Sequence, residues 1–280
     1  MSEIDVTKSW TKRAGDVVVC LEDEVVTATI DRPEVRNAIS ASVIEGLDAA
    51  VQLAEERQAR VLVIRGSGGT FCAGADLREL ELLRRRPARL DEFMAYLGGV
   101  LDRLETAPFP VVAVVEGHAV AGGCELLLAC DVVITSTTAR IGDRHLEYGL
   151  APAAGSSVRL TRRLPPARAN YLLLTADLLT GEQAATWGLA SCAVPPEQLE
   201  AAIEQVVSRL ATRSRDGTAT VKTMIGNARQ LPRADALRRE RVLFQQHMTS
   251  PDAIEGLVAF AERRAAVFTP DHRAEGHDTR

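Results

Sequence analysis

The chain has 280 residues, 46% of them hydrophobic and 25% charged, an ordinary globular balance with length for one large core or two smaller ones. Its net charge of −5 disfavours non-specific contact with nucleic acid or an anionic membrane, so a polyanionic ligand would need a local group of arginines. The five cysteines, Cys20, Cys72, Cys124, Cys130 and Cys192, form no CxxC pair, and their odd number suits reduced thiols better than a disulfide framework.

No charged segment followed by a long apolar run opens the chain, which speaks against a secretory signal. No apolar run reaches the about 18 residues of a membrane-spanning helix. The longest candidate, residues 119–135, is interrupted by Glu125 and Asp131. A cytoplasmic protein is expected.

Residues 1–14 read as a polar leader with one aromatic, Trp10. Residues 17–21 and 25–30 are β-rich and joined by the acidic turn Glu22-Asp23-Glu24, which predicts a hairpin. Arg32-Pro33 ends the second strand. Ser40 is placed to cap a helix that carries Ile44, Leu47, Ala50 and Val51 on one face. Residues 61–65 form a short buried strand that runs into Gly66-Ser67-Gly68-Gly69. A helical pattern over 90–105 ends at Pro108 and Pro110, and residues 111–115 form another buried strand ended by Gly117. Gly122-Gly123 opens an apolar helix through Cys130, and 132–135 is a strand again.

Strand, loop and helix thus recur, but at no fixed period. The expectation is an α/β fold with helices covering sheets, not a regular solenoid. From about Leu199 the strands stop, and 199–212, 233–247 and 251–266 carry helical patterns. The chain therefore divides into a core at 15–198 and an all-helical region at 199–280. Leu237, Val242 and Phe244, with Ile254, Leu257 and Val258, either extend the core or face a neighbouring subunit.

Two glycine-bearing junctions carry the candidate chemistry. One is Phe71-Cys72-Ala73-Gly74-Ala75-Asp76-Leu77, and the other runs from Glu116 through Gly122-Gly123 to Leu126. Each follows a buried strand, and free backbone N–H groups at such a place bind an anion or, as a pair, form an oxyanion hole. Plain turns would look the same. Glu125 sits in an otherwise apolar stretch, where a carboxylate is costly unless paired or used. Its alternative is an internal carboxylate satisfied by backbone N–H groups. Asp131 ends the helix and is expected to make local turn bonds.

At this point the sequence resembles a known family. Residues 71–76 and 117–131 look like the two signature segments of the crotonase (enoyl-CoA hydratase/isomerase) superfamily. Asp31-Arg32-Pro33-Glu34-Val35-Arg36-Asn37-Ala38 is similar to its R-P-x-x-x-N-A stretch, and Gly149 to Leu160 to its G-x-x-P-x-x-G-x-x-x-x-L segment. Thr180-Gly181-Glu182-Gln183-Ala184 with Trp187-Gly188-Leu189, and the run from Ser250-Pro251-Asp252 to Phe268, resemble two further motifs. The order holds over roughly residues 17–268.

The resemblance implies a crotonase-type spiral of ββα units with a helical C-terminal oligomerisation region, commonly a homotrimer or a dimer of trimers. It implies an acyl-CoA substrate with coenzyme A as part of it, and no metal, nicotinamide or other cofactor. The backbone N–H groups of Ala75 and Gly122 would form the oxyanion hole, and Glu125 matches a catalytic glutamate. Arg36 and Arg78, together with Ala73, Asp76 and Leu77, fall where the family meets substrate and coenzyme. Phe260 and Arg263 match positions that touch the nucleotide, often from a neighbouring subunit.

One departure stands out. Family hydratases carry a second glutamate twenty residues after the first, and here that position is His145, preceded by Arg144. A third carboxylate, used by dienoyl-CoA isomerases, would fall at Ala153. Glu147 is close but would point elsewhere. His145 is a general acid/base, an orienting group, or a structural residue bonded to Asp143 or a backbone carbonyl. His118 is read as structural or supporting. Enoyl-CoA hydration or isomerisation through an enolate is expected. The alternatives are a CoA thioester hydrolase or decarboxylase, and a catalytically silent crotonase-like binding protein.

Overall fold

The computed structural model describes residues 10–268, which form two compact units, one ending at Ala211 and one beginning at Thr212. The first unit runs β1 (Trp10–Ala14), β2 (Val17–Glu22), β3 (Val25–Ile30), α1 (Ala41–Glu56), β4 (Val61–Gly66), α2 (Leu77–Leu83) and α3 (Pro87–Thr106). It continues with β5 (Val111–Val115), β6 (His118–Val120), α4 (Gly122–Leu128), β7 (Val132–Ser136), β8 (Arg140–Gly142), α5 (Ser156–Arg163) and α6 (Pro166–Thr175). It ends with β9 (Leu179–Thr180), α7 (Gly181–Trp187), β10 (Cys192–Val194) and α8 (Leu199–Ala211).

Seven strands form one sheet in the order β1-β2-β3-β4-β5-β7-β10. The first three are antiparallel, and all pairings from β3 onward are parallel. The apolar runs of β4 and β5 follow from burial on both faces. Leu62, Ile64, Val111, Ala113 and Val115 face the main core, while Val61, Val63, Val112 and Val114 face a second one closed by Leu199 and Ile203 of α8. The helix at 199–211, grouped by sequence with the C-terminal region, therefore packs within the first unit.

Residues 10–14, read as part of a leader, are an edge strand, with Trp10 opposite Leu21 and Ala14 opposite Val17. Thr11, Lys12 and Arg13 are exposed. An edge strand that buries almost nothing carries no apolar alternation, and its charge blunts edge-to-edge association. Residues 1–9 of that leader lie outside the described residues. Ser40 caps α1 as expected, accepting from the Val43 N–H at 3.3 Å.

A second, shorter ladder positions the site. β6 and β8 pair in parallel and β8 pairs with β9. Two isolated bridges, Ile39 with Ala75 and Cys72 with Ala119, extend the same idea to earlier turns of the chain. Each successive turn gives one strand to the large sheet and one short extended piece to this inner ladder, then enters a helix. That is the ββα repeat implied by the family resemblance.

The second unit consists of α9 (Arg215–Gln230), α10 (Arg233–His247) and α11 (Pro251–Glu262), with α9 packed on α10 and α11. Helix α9 was not among the predicted stretches. Its Thr218, Thr220, Val221, Thr223 and Ile225 are β-branched, which weakens a helical reading until tertiary packing fixes it. Among the described residues no helix is long and apolar enough to cross a membrane.

Helix α4 lies against residues 71–73 because position 123 has no side chain. A Cβ at Gly123 would lie 2.2 Å from the Cys72 carbonyl oxygen. Gly123→Ala should therefore lower stability by about 1–3 kcal/mol. At Gly98, inside α3, an added Cβ meets nothing within 4 Å. Gly98→Ala should raise stability by about 0.4–1 kcal/mol through helix propensity and unfolded-state entropy. Urea unfolding midpoints of the two variants should move in opposite directions; equal shifts would contradict a backbone contact at Gly123.

Candidate active site

The site begins with two backbone N–H groups brought side by side. Gly74 has φ +101, a conformation that a side chain would strain. Its carbonyl accepts from Ile39 N at 2.8 Å, and Asp76 N donates to Ile39 O at 2.8 Å. Residues 74–76 are thus held at both ends, while the Ala75 N–H has no acceptor among the described residues. Across from it, Ala121 sits at φ 49, ψ −119, and its N–H donates to Gly142 O at 3.1 Å. Positive φ at an alanine stores strain, typically about 1–3 kcal/mol, and turns the chain sharply into α4. The N–H of Gly122, first residue of α4, is likewise without an acceptor among the described residues. A Cβ at Gly122 would lie 3.3 Å from Ala75 N, and one at Gly74 would lie 3.5 Å from Gly122 N. Absence of side chains keeps the space between these two donors open.

Glu125 lies one helical turn beyond Gly122 and is only 2% exposed. Its Oε1 accepts from the N–H groups of Ala154 at 2.8 Å and Ser156 at 3.1 Å. Arg159 steadies that loop. It donates to Ala154 O at 2.6 Å and to Asp102 and Glu105 of α3 at 2.8 and 2.9 Å. The other oxygen, Oε2, faces His145 Nε2 at 3.9 Å, beyond direct hydrogen bonding. Burial pushes the Glu125 carboxyl above its ordinary value; the Ser156 N–H, the nearby imidazole and the Ala154 N–H offset this only in part.

His145 opens a short 3₁₀ turn after β8, and Arg144, in the left-handed region, sets its direction. The Nδ1 atom lies 2.9 Å from Asp143 Oδ2, and the same carboxylate accepts from the His145 backbone N–H at 3.3 Å. Asp143 is 1% exposed. Burial raises its carboxyl, but the imidazole bond, the Ser156 side chain, the imidazole's charge and the His145 N–H together hold it below the ordinary range. An ionised carboxylate can only accept, so Nδ1 carries the proton and donates. Burial works against the imidazolium, but the Asp143 bond and the charges of Asp143 and Glu125 prevail and raise the histidine's proton affinity.

Of the three readings of His145, the structural one is met in its bond to Asp143 through Nδ1, while the opposite ring nitrogen, Nε2, faces Glu125. The plain reading of Glu125 also holds, but for one oxygen only. Asp131 makes a long-range bond that the sequence did not indicate, accepting from Val111 N at 2.8 Å, and so ties the end of α4 to β5. Glu147 is turned to Arg144 at 3.4 Å, away from the pair. His118 is half-buried on β6, and burial followed by the positive fields of Arg36, Arg144 and Arg140 lowers its proton affinity.

The remaining candidates are spread around this centre. Arg36 is left-handed at φ 53, and its carbonyl accepts from Ala73 N at 3.0 Å. Asp76 caps α2 through the N–H groups of Arg78 and Glu79 at 3.0 and 3.4 Å, and pairs with Arg32 at 3.1 Å. Its carboxylate is therefore engaged in holding the loop. Leu77 and Arg78 are exposed on the first turn of α2. Phe260, 84% exposed, and Arg263, the left-handed C-cap of α11, belong to the second unit. Sequence reading did not foresee the Ala154 and Ser156 donors. Backbone N–H groups leave no residue signature, and only the Pro152 and Gly155 spacing marked a loop of defined shape.

Comparison with known proteins adds the following. The family model described as enoyl-CoA hydratase/isomerase matches residues 21–271. A Rhizobium meliloti protein named "probable enoyl-CoA hydratase" is 33% identical over 253 residues, 90% of this chain and 97% of its own. The human "enoyl-CoA hydratase domain-containing protein 2, mitochondrial" is 34% identical over 253 residues, 88% of this chain and 86% of its own. A crystal structure of enoyl-CoA hydratase from Mycobacterium smegmatis superposes with a TM-score of 0.84 at 29% identity, covering 93% of this chain and 98% of its own.

The raised proton affinity of His145 makes a stability prediction. A folded-state value above the unfolded one contributes stability that is complete below the ordinary value of 6.5 and is lost as pH rises through the raised value. The stability advantage of the wild type over His145→Gln should therefore shrink as pH increases across that window. Denaturation midpoints measured over the pH series check it, and a constant difference would contradict the pairing with Asp143 and Glu125.

Proposed function

The chain belongs to the enoyl-CoA hydratase/isomerase family, and we propose that its first unit binds an acyl-CoA thioester and hydrates an enoyl-CoA through a stabilised enolate. The observation that carries this reading is the pair of groups turned toward one another, Glu125 Oε2 and His145 Nε2, at 3.9 Å. An oxygen atom about 2.8 Å from both would subtend an angle of roughly 90°, close to what a water molecule accepts. One catalytic water therefore fits both partners at once.

The Ala75 and Gly122 N–H groups hold the thioester carbonyl oxygen as it gains charge. Glu125 takes a proton from the water while its oxygen bonds to Cβ. The imidazolium of His145 delivers a proton to Cα, and the net change is addition of one water across the double bond. Proton exchange between carboxylic acid and imidazole, directly or through solvent, restores the starting state. The site needs Glu125 ionised and His145 protonated, so the rate should fall on the acid side with Glu125 and on the alkaline side with His145. This chemistry calls for no metal or redox cofactor, and coenzyme A enters as part of the substrate.

Glu125→Gln should lower kcat for crotonyl-CoA hydration by about 10²–10⁴-fold, as loss of one general base does, with a smaller change in ligand affinity. The same variant run against a panel of thioesters for isomerisation, decarboxylation and free-thiol release decides between hydration and its alternatives. Nearly full turnover of the preferred substrate would make Glu125 structural and remove this mechanism.

The second unit completes the reading. Ile254, Leu257 and Val258 are exposed at helical spacing on α11, with Phe260 beyond them. A further copy of the chain would cover such a face in a closed symmetric assembly, which together with the family likeness supports a homotrimer or dimer of trimers. Light scattering should give a mass that is a multiple of three chains, and a stable monomer at micromolar concentration would contradict it.

A further inference from the structure

Asp143 is a buried charge that meets His145 and the Ser156 side chain. At 1% exposure it cannot be solvated by bulk water, so its ionised form depends on donors within the fold. His145 supplies two of them, the ring Nδ1 at 2.9 Å and the backbone N–H at 3.3 Å. The double attachment fixes both where the ring starts and how it is rotated. Turning the imidazole over would remove the ring donor from a buried carboxylate, and the ring itself has little freedom, being only 12% exposed. With Nδ1 engaged, the only ring nitrogen left is Nε2, and it faces Glu125.

We propose that Asp143 is a positioning residue: its carboxylate holds the Nδ1–H of His145 so that Nε2 is the nitrogen presented to Glu125 and to the substrate. The proposal deepens the acid/base reading of Glu125 and His145 and rests on it. It explains how a histidine can stand where two-glutamate enzymes of the family hold a carboxylate. An imidazole has two chemically distinct nitrogens, and only a fixed partner on one makes the other a defined proton donor. Asp143 also keeps that donor charged, since a carboxylate in contact with Nδ1 favours the imidazolium. The other charged groups near the ring do not compete. Glu125 lies opposite Nε2, and Arg144 and Glu147 are turned to one another. Helix α6 packs on this turn, and its Arg168 and Tyr171 are engaged by the Trp187 carbonyl and by Asp177.

The test combines a spectrum with a rate. Nitrogen-15 NMR of the full chain follows the ring nitrogens through a pH titration, with His145→Gln identifying the His145 signals among the five histidines. In the wild type, deprotonation should leave the proton on Nδ1 and bare Nε2. In Asp143→Asn the titration midpoint should fall by about 1–3 pH units, the range expected on losing an adjacent opposite charge. The alkaline limb of crotonyl-CoA hydration should fall with it, and kcat should drop about tenfold or more with KM little changed. A wild-type ring that keeps its proton on Nε2 overturns the proposal even when Asp143→Asn fails to fold. So does an Asp143→Asn protein whose midpoint and alkaline limb match the wild type while His145→Gln abolishes that limb. If His145→Gln leaves rate and pH profile unchanged, the acid/base reading itself fails, whatever the NMR shows of Asp143.

Discussion

A carboxylate buried inside an apolar helix must be met by donors, and much of the first unit is arranged around meeting Glu125. Two N–H groups from the loop before α5 satisfy one oxygen. That loop is steadied by Arg159, which is in turn anchored on two carboxylates of α3. Among the described residues the second oxygen is left with only an imidazole 3.9 Å away. Full satisfaction would have made an inert internal carboxylate, and no satisfaction would have forced it neutral. Satisfying one side leaves a base with raised proton affinity aimed at a partner.

The inner ladder makes this possible by bringing backbone close to backbone. Gly74, Gly122 and Gly123 stand where an added Cβ would press on Ala121, on Ile39 and Ala75 N, or on the Cys72 carbonyl. The strained turn at Ala121 completes the approach. The Ala75 and Gly122 N–H groups, without acceptors among the described residues, follow from that geometry. A rigid pair of donors costs no reorganisation when charge develops on a carbonyl oxygen, which is where such pairs act most strongly.

The histidine site shows how a changed residue type is absorbed by its surroundings. A glutamate at position 145 would bring a second negative charge toward Glu125, and mutual repulsion would keep one of the two protonated. With histidine, the proton is held by attraction to Asp143 and Glu125 together. Both arrangements place one base beside one acid. They differ in charge, and only the histidine has two distinct nitrogens, of which Nδ1 meets Asp143 and Nε2 faces Glu125.

Much of this was legible in the sequence. The buried runs of β4 and β5, the Ser40 cap, the two glycine junctions and the isolated Glu125 are local signals, because periodicity, capping and an out-of-place charge do not depend on distant partners. The motif order from Arg32-Pro33 to Phe268 pointed to the family for the same reason. What lay hidden depends on contacts far along the chain. The edge strand at residues 10–14 has no alternation to read, and α9 is β-branched enough to mask its helix. Asp131 bonds across 20 residues to Val111. The donors to Glu125 come from 29 and 31 residues away and are backbone groups that any residue could supply. His145 had three readings, acid/base, orienting and structural, that sequence could only set against one another. The three-dimensional fold alone placed Asp143 on one side of the ring and Glu125 on the other, because which nitrogen meets which carboxylate is a matter of orientation, and orientation is fixed by packing.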